Sequence, residues 1–400
     1  MHLGLVLLTL PGPSETFINS KINGLISNGF KISLFLESDL VKNHIISGPL
    51  KIYYQPNRRK IISMPFFLLR IIFTRPSKLL KFIKSERASK KNWKRILKNI
   101  LINYHFFLTE DIDWIHFEFA TLGINRENIG KSIGAKTSCS FRGQDISLFP
   151  SKNPGCYELL FKKIDKIHTI SDDLYAQAIK LGLDSDVKFE KITPAIDTGM
   201  FSTRLKEEKV FQPIKILTTG RLHWKKGYEY AIDALKIIHD NGIDFEYRII
   251  GNGDYFEPIM YSVIKLGLKD KVKFLGKKPH EEVIKQMEWA DIYIQPSIQE
   301  GFCNSVIEAQ SMGLLIIVTN AEGLSENISN NKTGWIIQKR NPKALSNKLS
   351  ELLNLDIKEI IQIRKNARER AVSKFSISDQ AKLFNTCLLY TSPSPRDKRQ

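Results

Sequence analysis

Short apolar runs alternate with amphipathic segments along most of the chain. Residues 3–10 form a continuous apolar run, apolar positions at helical spacing follow a helix start at 14–16, and residues 31–36 form the next run. This order of strand, helix and strand predicts a parallel sheet, because parallel neighbours need a crossover between them. Continuous apolar strands also favour a sheet that is covered on both faces. Further strands are predicted at residues 112–116, 136–141, 166–170 and 187–192.

A second alternating series follows a polar stretch at residues 202–209, where we place a linker because it lacks apolar periodicity. Two successive α/β series predict two Rossmann-like domains that face each other across a cleft, with ligands at the carboxyl ends of the strands. Helices are predicted at 228–240 and 280–289, and helical periodicity returns from 357 to 384. The strands of this series are predicted at residues 214–219, 245–250, 272–275, 292–295, 314–318 and 334–337.

These patterns predict a first domain at residues 1–200 and a second domain at residues 201–370. A helix at residues 371–386 is expected to return to the first domain. Residues 387–400 contain Pro and charge without a core pattern and look like translated adapter read-through, so they are excluded from the fold prediction.

The composition is that of a globular protein, with 42% apolar and 26% charged residues among 400. The net charge of +18 is unevenly distributed, because residues 57–99 contain fourteen Lys or Arg and one acid, Glu86. The excess positive charge therefore favours an anionic partner for this segment, and it carries no information about the fold.

In residues 57–99 the Lys and Arg side chains are interspersed with aliphatic and aromatic side chains. This mixture favours contact with an anionic membrane surface. Helices that pack on the first sheet with a basic outer side are the alternative. Nucleic acid is disfavoured, because the apolar content exceeds that of a solvated phosphate-binding face.

Four cysteines are scattered without Cys-x-x-Cys spacing, which predicts neither disulfides nor a zinc site and indicates a reducing compartment. The apolar start lacks the basic leader of a signal peptide, so it is interpreted as a buried strand. No apolar run reaches the roughly 18 residues of a membrane span.

Candidate chemistry centres on residues 299–310, where a predicted strand leads through a loop into a helix. Gly301 near the helix start would leave backbone N–H groups free, and the helix dipole adds positive potential, so the turn suits a phosphate. Glu300 and Glu308 flank this turn and could accept hydrogen bonds from hydroxyls on either side of a diphosphate. An ordinary helix start with one surface Glu is the alternative.

Two further loops end strands of the second series. Arg221 and Lys226 lie on one strand-to-helix turn and could neutralise phosphate charge, although an exposed basic turn has the same appearance. Gly251 and Gly253 begin a Gly-x-Gly loop, but Phe256 stands where a dinucleotide fingerprint has its third Gly, so the cofactor signal is weak.

The order and spacing of these loops resemble glycosyltransferase family 4, a family of retaining sugar transferases with the two-domain GT-B architecture. The resemblance covers residues 214–337 through six loops, and the first half supports it more loosely at residues 14–18, 140–145 and 194–197. The matching residues of the second half are Gly220-Arg221, Lys226-Gly227, Gly251-x-Gly253, Phe274-Leu275-Gly276, Pro296-Ser297 and Glu300-Gly301 with Glu308-Ala309.

The resemblance implies that Arg221 and Lys226 clamp the diphosphate of a nucleotide sugar. Glu308 would accept hydrogen bonds from the ribose, and Glu300 would contact the donor sugar near its reacting carbon. Further donor contacts are expected from Gly220, Gly251, Gly253, Gly301, Phe302, Cys303, Asn304 and Ser305. Acceptor contacts are expected from Glu15, His116 and Asp145.

Glu300 and Arg142 are the predicted catalytic residues. Arg142 stands where the wider family commonly has His, and an Arg can donate hydrogen bonds but cannot shuttle protons near neutral pH. His116 belongs to a stretch that often has two histidines, with Glu118 in the second place. A buried core histidine is the open alternative for His116.

No metal and no cofactor are expected, and a uridine or guanosine diphosphate sugar is the expected substrate. Asp111 with Asp113, and Asp184 with Asp186, have Asp-x-Asp spacing, but each pair precedes a predicted strand, at the end of the sheet away from the ligand edge.

The resemblance implies retaining transfer to a glycan acceptor, lipid-linked in our interpretation, for cell-surface polysaccharide or lipopolysaccharide. The enzyme would be cytoplasmic and peripheral on the inner face of the cytoplasmic membrane. Two alternatives remain: a nucleotide-sugar epimerase of the same fold, and a non-catalytic basic Rossmann-type binding protein that Glu300→Gln would leave unchanged.

Overall fold

The computed structural model describes residues 1–11, 16–38, 50–55, 64–203 and 205–389. The chain divides into two compact units. Met1–Thr193 and the chain from Gln380 onward form the first unit, and Pro194–Asp379 forms the second.

The first unit is built on a seven-stranded parallel sheet with the strand order β3-β2-β1-β4-β5-β6-β7. Strands β2 and β3 extend the sheet on one side of β1, and strands β4 to β7 extend it on the other side of β1. The loops that leave β1 and β4 therefore diverge, which opens a crevice at the carboxyl edge of the sheet. The strands are β1 (His2–Leu7), β2 (Lys31–Leu36), β3 (Lys51–Tyr54), β4 (Trp114–Phe117), β5 (Lys136–Phe141), β6 (Lys166–Thr169) and β7 (Lys188–Lys191).

Nine α-helices of the described chain lie between these strands, and a tenth that starts in the second unit ends in the first. The part of this last helix that belongs to the first unit includes Phe384, whose ring lies 4.8 Å from that of His168. The helices are α1 (Thr16–Ser27), α2 (Met64–Thr74), α3 (Pro76–Ala88), α4 (Trp93–Ile102), α5 (Tyr104–Phe107), α6 (Ile129–Ile133), α7 (Gln144–Lys152), α8 (Glu158–Phe161), α9 (Asp172–Lys180) and, from the far end of the chain, α16 (Ile377–Leu389).

The second unit repeats the topology in a six-stranded parallel sheet with the order β10-β9-β8-β11-β12-β13. All residues of β11 and β12 are buried, so both faces of the sheet are covered, as the continuous apolar runs predict. The strands are β8 (Ile214–Thr219), β9 (Phe245–Ile250), β10 (Val272–Gly276), β11 (Ile292–Gln295), β12 (Leu315–Thr319) and β13 (Trp335–Ile337).

The helices of the second unit cover this sheet. Helix α10 packs against α11 and α14, and α13 packs against α15. The helices are α10 (Tyr228–Asp240), α11 (Phe256–Lys265), α12 (His280–Trp289), α13 (Asn304–Ser311), α14 (Pro342–Leu352) and α15 (Ile357–Lys374).

Most predicted elements agree with the structure, and several bounds coincide, including those of α10 and α12. Strand β3 was not predicted, because it is a four-residue edge strand whose side chains are all at least partly exposed. The described part of the basic segment is helical and supplies α2, α3 and the start of α4.

Candidate functional site

The loops that leave β8 and β11 meet at the carboxyl edge of the second sheet. The amide of Ile298 donates to the carbonyl of Lys225 at 2.8 Å, which ties the two loops together. Gly227 has φ +65°, and a Cβ there would lie 2.2 Å from the carbonyl oxygen of Pro296. Only Gly satisfies both the backbone angle and this close approach. The sequence motifs around Lys226 and Glu300 are thus parts of one packed edge.

The Gly-x-Gly loop after β9 closes onto the same edge. A Cβ on Gly251 would lie 1.8 Å from the carbonyl oxygen of Gly220, and one on Gly253 would lie 2.1 Å from that of Leu222. The amide of Leu222 also donates to the carbonyl of Asn252 at 3.0 Å. These glycines therefore let two loops pack backbone to backbone and hold the turn that carries Arg221.

Lys226 and Glu300 form an ion pair, and each side chain is only 13% exposed. The amide of Glu300 donates to a carboxylate oxygen of Glu322 at 2.8 Å, which fixes the backbone of the loop. Burial opposes the charge on Lys226, but the Glu300 carboxylate outweighs it and raises the pKa of Lys226. In this structure the lysine predicted to bind phosphate is already neutralised by the predicted sugar-binding carboxylate.

Arg221 lies on the same edge and is exposed. Within the described ranges, Arg221 forms no ion pair. A guanidinium with its charge available to solvent can bind an anionic ligand without first giving up a protein partner.

Helix α13 follows Glu300 in the chain and starts at Asn304. Its N-cap residue, Cys303, is held by Asn327, which accepts from the Cys303 amide at 3.1 Å and donates to the Cys303 carbonyl at 2.8 Å. In the described chain, the amides of Asn304 and Ser305 make no hydrogen bond, as expected for a first helical turn. Gly301 and the buried Phe302 precede the cap.

Glu308 lies in α13, just past its first turn, and is half-buried. No described residue forms a hydrogen bond or an ion pair with its carboxylate. Burial raises the pKa of Glu308 to about 7. Its carboxylate is therefore available as an acceptor, and its charge changes near neutral pH.

The first unit contains a buried ionic cluster of Lys21, Glu118 and Arg142. Lys21 Nζ lies 2.5 Å from one carboxylate oxygen of Glu118, and Arg142 Nη2 lies 2.8 Å from the other. Burial alone would raise the pKa of Glu118, but the Lys21 ammonium and the Arg142 guanidinium hold it below its usual range. Burial lowers the pKa of Lys21 to about 8 despite its anionic partner.

His116 is 3% exposed and bonds to two serine hydroxyls. Its Nδ1 lies 2.8 Å from Ser138 Oγ, and its Nε2 lies 2.9 Å from Ser140 Oγ. Burial lowers the pKa of His116 to about 3, so the ring is neutral. These contacts are those of a buried core histidine, which is the alternative that the sequence left open. The acceptor role of His116 stays a prediction.

Asp145 is 5% exposed and accepts from the backbone amides of Ala120 at 3.1 Å and Arg142 at 3.0 Å. It joins the loops that follow β4 and β5. Glu15, the third predicted acceptor residue, lies outside the described residues.

Lys21 and His168 were missed by sequence reasoning. Lys21 occupies the buried face of α1 with Ile18, Ile22 and Leu25, so a lysine at an apolar helical position was the available signal. His168 Nδ1 lies 2.6 Å from Ser140 Oγ and extends the network around His116. No motif in the sequence marks it.

The residues that the structure describes contain no group of three His, Cys, Asp or Glu side chains able to hold a metal ion. Of the Asp-x-Asp pairs, Asp113 accepts from the amide of His2 at 2.8 Å, and Asp184 accepts from the amide of Asp186 at 3.0 Å.

Residues 202–370 match the family described as glycosyl transferases group 1. The putative colanic acid biosynthesis glycosyltransferase WcaL of Escherichia coli (strain K12) is 27% identical over 395 residues, covering 94% of this chain and 96% of the relative. An Escherichia coli UDP-Gal:alpha-D-GlcNAc-diphosphoundecaprenol alpha-1,3-galactosyltransferase is 27% identical over 213 residues, covering 51% of this chain and 53% of the relative.

The crystal structure of Anabaena Alr3699/HepE in complex with UDP aligns with a TM-score of 0.71 at 15% identity, covering 97% of this chain and 99% of the other. This match confirms the predicted fold of two parallel α/β sheets.

Proposed function

We propose a donor, an acceptor and a mechanism for this chain, whose residues 202–370 match the group 1 glycosyl transferases and whose relatives include a colanic acid biosynthesis glycosyltransferase. The donor is a nucleotide diphosphate sugar, and the acceptor is a growing glycan of cell-surface polysaccharide or lipopolysaccharide. The single observation that supports this donor is the carboxyl edge of the second sheet. There, close glycine contacts bring together the cations Arg221 and Lys226, the carboxylates Glu300 and Glu308, and the start of α13.

Arg221 and Lys226 neutralise the charge that develops on the leaving diphosphate, which is the main electrostatic demand of the reaction. The amides of α13 bind phosphate or sugar oxygens at the positive end of the helix dipole. Glu308 accepts hydrogen bonds from the ribose, and Glu300 contacts the donor sugar.

Transfer retains configuration by attack on the face from which the diphosphate leaves. The bond between the anomeric carbon and the phosphate oxygen breaks, and a bond to the acceptor hydroxyl oxygen forms on the same face. The acceptor proton moves to the departing phosphate oxygen. Arg142 contributes hydrogen bonds and no proton, because it stays charged near neutral pH. The cations, and not a metal ion, stabilise the leaving group.

A nucleotide screen tests the donor proposal. Because one relative is named for a UDP sugar and one structural match contains UDP, UDP is tested first, followed by GDP and the other nucleoside diphosphates. UDP or GDP should raise the melting temperature of the chain by binding the folded state. The absence of stabilisation by every nucleoside diphosphate at millimolar concentration would refute the donor proposal.

The acceptor is lipid-linked in our proposal, since one relative is named for a diphosphoundecaprenol substrate. The described part of the basic segment supports a membrane-facing position. Phe66 is 64% exposed and Phe73 is 81% exposed on α2. Between residues 64 and 99 the one acid, Glu86, is fully buried against Asn99 and Asn128, so every exposed charge there is basic.

An exposed apolar helix face, in a segment whose exposed charges are all basic, fits an anionic bilayer. We therefore place the enzyme on the inner face of the cytoplasmic membrane. Among the described residues, no helix is long and apolar enough to cross a membrane.

Sedimentation with anionic vesicles tests this position. The wild type should bind at low salt and dissociate as salt rises. Phe66→Ser should weaken binding, whereas Tyr261→Ser, at a similarly exposed position of the second unit, should not. Equal binding of both variants would refute a role for α2.

A further inference from the structure

A cavity of about 360 Å³ opens at the carboxyl edge of the first sheet. It lies where the loops that follow β1 and β4 separate, the position at which open α/β sheets bind ligands. Its volume is at the lower end of the range of about 300–1,000 Å³ for small-molecule sites. The cavity has room for a single small ring and little more.

One carboxylate lines this cavity. Glu37 follows β2, and its side chain is 30% exposed. Arg126 Nη1 lies 2.8 Å from Glu37 Oε1, and Arg126 also donates to the carbonyl of Leu122 at 2.8 Å and to Gln55 Oε1 at 3.0 Å. The arginine side chain is only 3% exposed. A buried guanidinium thus fixes the direction of a carboxylate that remains accessible from the cavity.

The other walls are largely apolar. Leu7, Ile18 and Leu122 contribute aliphatic surface, Phe119 contributes an aromatic ring, and Thr9 adds a hydroxyl. A pyranose has matching chemistry, because its C–H faces pack on apolar and aromatic walls while its hydroxyls need fixed polar partners.

The charge of the cavity limits the ligand further. Arg126 compensates the charge of Glu37, so a cation gains little there, and its buried guanidinium is not available to a ligand anion. An ionised sugar carboxylate has no proton to donate to Glu37, and it would lose its hydration in the cavity without gaining a partner. The ligand that fits is therefore a neutral sugar.

We propose that this cavity binds the terminal neutral pyranose of the acceptor glycan, with Glu37 accepting hydrogen bonds from its hydroxyls and Arg126 positioning Glu37. The assignment rests on the proposed function for its acceptor role. In the structure the Glu37 carboxylate is accessible from the cavity, whereas His116 and Asp145 are engaged in buried hydrogen bonds.

Ligand-observed NMR on the full chain tests the cavity with methyl glucoside, methyl galactoside and methyl mannoside, each compared with methyl glucuronide. At least one neutral glycoside should bind, and the glucuronide should bind about tenfold more weakly or not at all. Glu37→Gln should weaken the neutral glycoside by about tenfold, since a charge-assisted hydrogen bond is lost.

Because Glu37→Gln also removes the partner of Arg126, a second variant fills the cavity from outside. Leu8 is 56% exposed at its rim, so Leu8→Trp should fold and abolish glycoside binding. Ile264→Trp, at a position 57% exposed in the second unit, is the matched control and should bind normally. Equal binding by these two variants, or equal binding of neutral and anionic glycosides, would overturn the proposal.

Calorimetry with UDP and GDP separates the two proposals. Nucleotide binding without binding of any neutral glycoside would overturn the cavity assignment and leave the donor proposal standing. Glycoside binding that Leu8→Trp abolishes, in a chain that binds no nucleoside diphosphate, would overturn the acceptor role.

Discussion

Replacing Glu300 by Gln should tighten the binding of the nucleoside diphosphate while it slows sugar transfer. In the structure Glu300 neutralises Lys226, and both side chains are largely shielded from water. A diphosphate that binds Lys226 must replace this carboxylate or share the cation with it. The wild-type protein therefore carries an internal competitor for the phosphate.

The size of the effect follows from the ion pair. Two unit charges about 3 Å apart attract by about 5 kcal/mol at an effective dielectric constant of about 20. The cost of removing both groups from water offsets most of this attraction. Loss of the competitor should therefore strengthen nucleotide binding by about 1–2 kcal/mol, or about 5- to 30-fold.

Transfer should respond in the opposite direction, because Glu300 is proposed to contact the sugar at the reacting carbon. Loss of one such group should lower kcat by about a hundredfold. The expected result is a variant that holds the nucleotide more tightly and turns over more slowly. A purely structural role of Glu300 would weaken binding and transfer together.

Isothermal calorimetry with the nucleoside diphosphate found in the screen measures the first quantity. Glu351→Gln is the matched control, because it removes the same charge from an exposed ion pair with Lys348 on α14. The control should bind like the wild type. Unchanged or weaker nucleotide binding by Glu300→Gln would refute the competition argument.

Three further predictions concern pH, loop packing and metal. Since burial raises the pKa of Glu308 to about 7, protonation below that pH replaces an anionic ribose acceptor by a weaker neutral one. The KM for the nucleotide sugar should therefore rise about tenfold as the pH falls from 8 to 6. In Glu308→Gln the KM should not depend on pH over this range. A KM that still rises in that variant would contradict the assignment. Gly251→Ala should lower the free energy of unfolding by about 3 kcal/mol, because φ is +152° and the new Cβ would overlap the carbonyl of Gly220. The control is Gly242→Ala, where φ is +76° and a new Cβ would have no atom within 4 Å, so it should lower the free energy of unfolding by only about 1 kcal/mol. Both values are measured by chemical denaturation. Equal losses of stability in the two variants would contradict the predicted overlap between the Cβ at position 251 and the carbonyl of Gly220. Transfer should continue in excess EDTA, because two cationic side chains supply the positive charge, and a loss that Mg²⁺ or Mn²⁺ restores would refute metal independence.

The donor edge could be predicted from the sequence because it depends on loops that follow parallel strands. Such loops lie at one edge of the sheet whatever the details of packing, and the switch of strand order between β8 and β11 opens the crevice there. The pairing of Lys226 with Glu300 could not be predicted, because the two residues are 74 positions apart and their contact depends on how the loops pack. The same holds for Glu37, which no motif marks and which gains its position from Arg126.

The buried cluster around Glu118 shows why a substituted motif is hard to interpret from sequence. An Arg at position 142 looks like the loss of a proton-transferring His, but in the fold its guanidinium and the Lys21 ammonium share one carboxylate. Burial, assisted by the nearby Arg142 guanidinium, opposes the charge on Lys21 more strongly than Glu118 supports it, which lowers the pKa of Lys21. Removing Glu118 from this chain should therefore destabilise the fold, because Lys21 and Arg142 would be left as two like charges in a poorly solvated site. The ion pair between Glu118 and Arg142 could not be recognised from the sequence, because it becomes visible only when both side chains are placed in the structure.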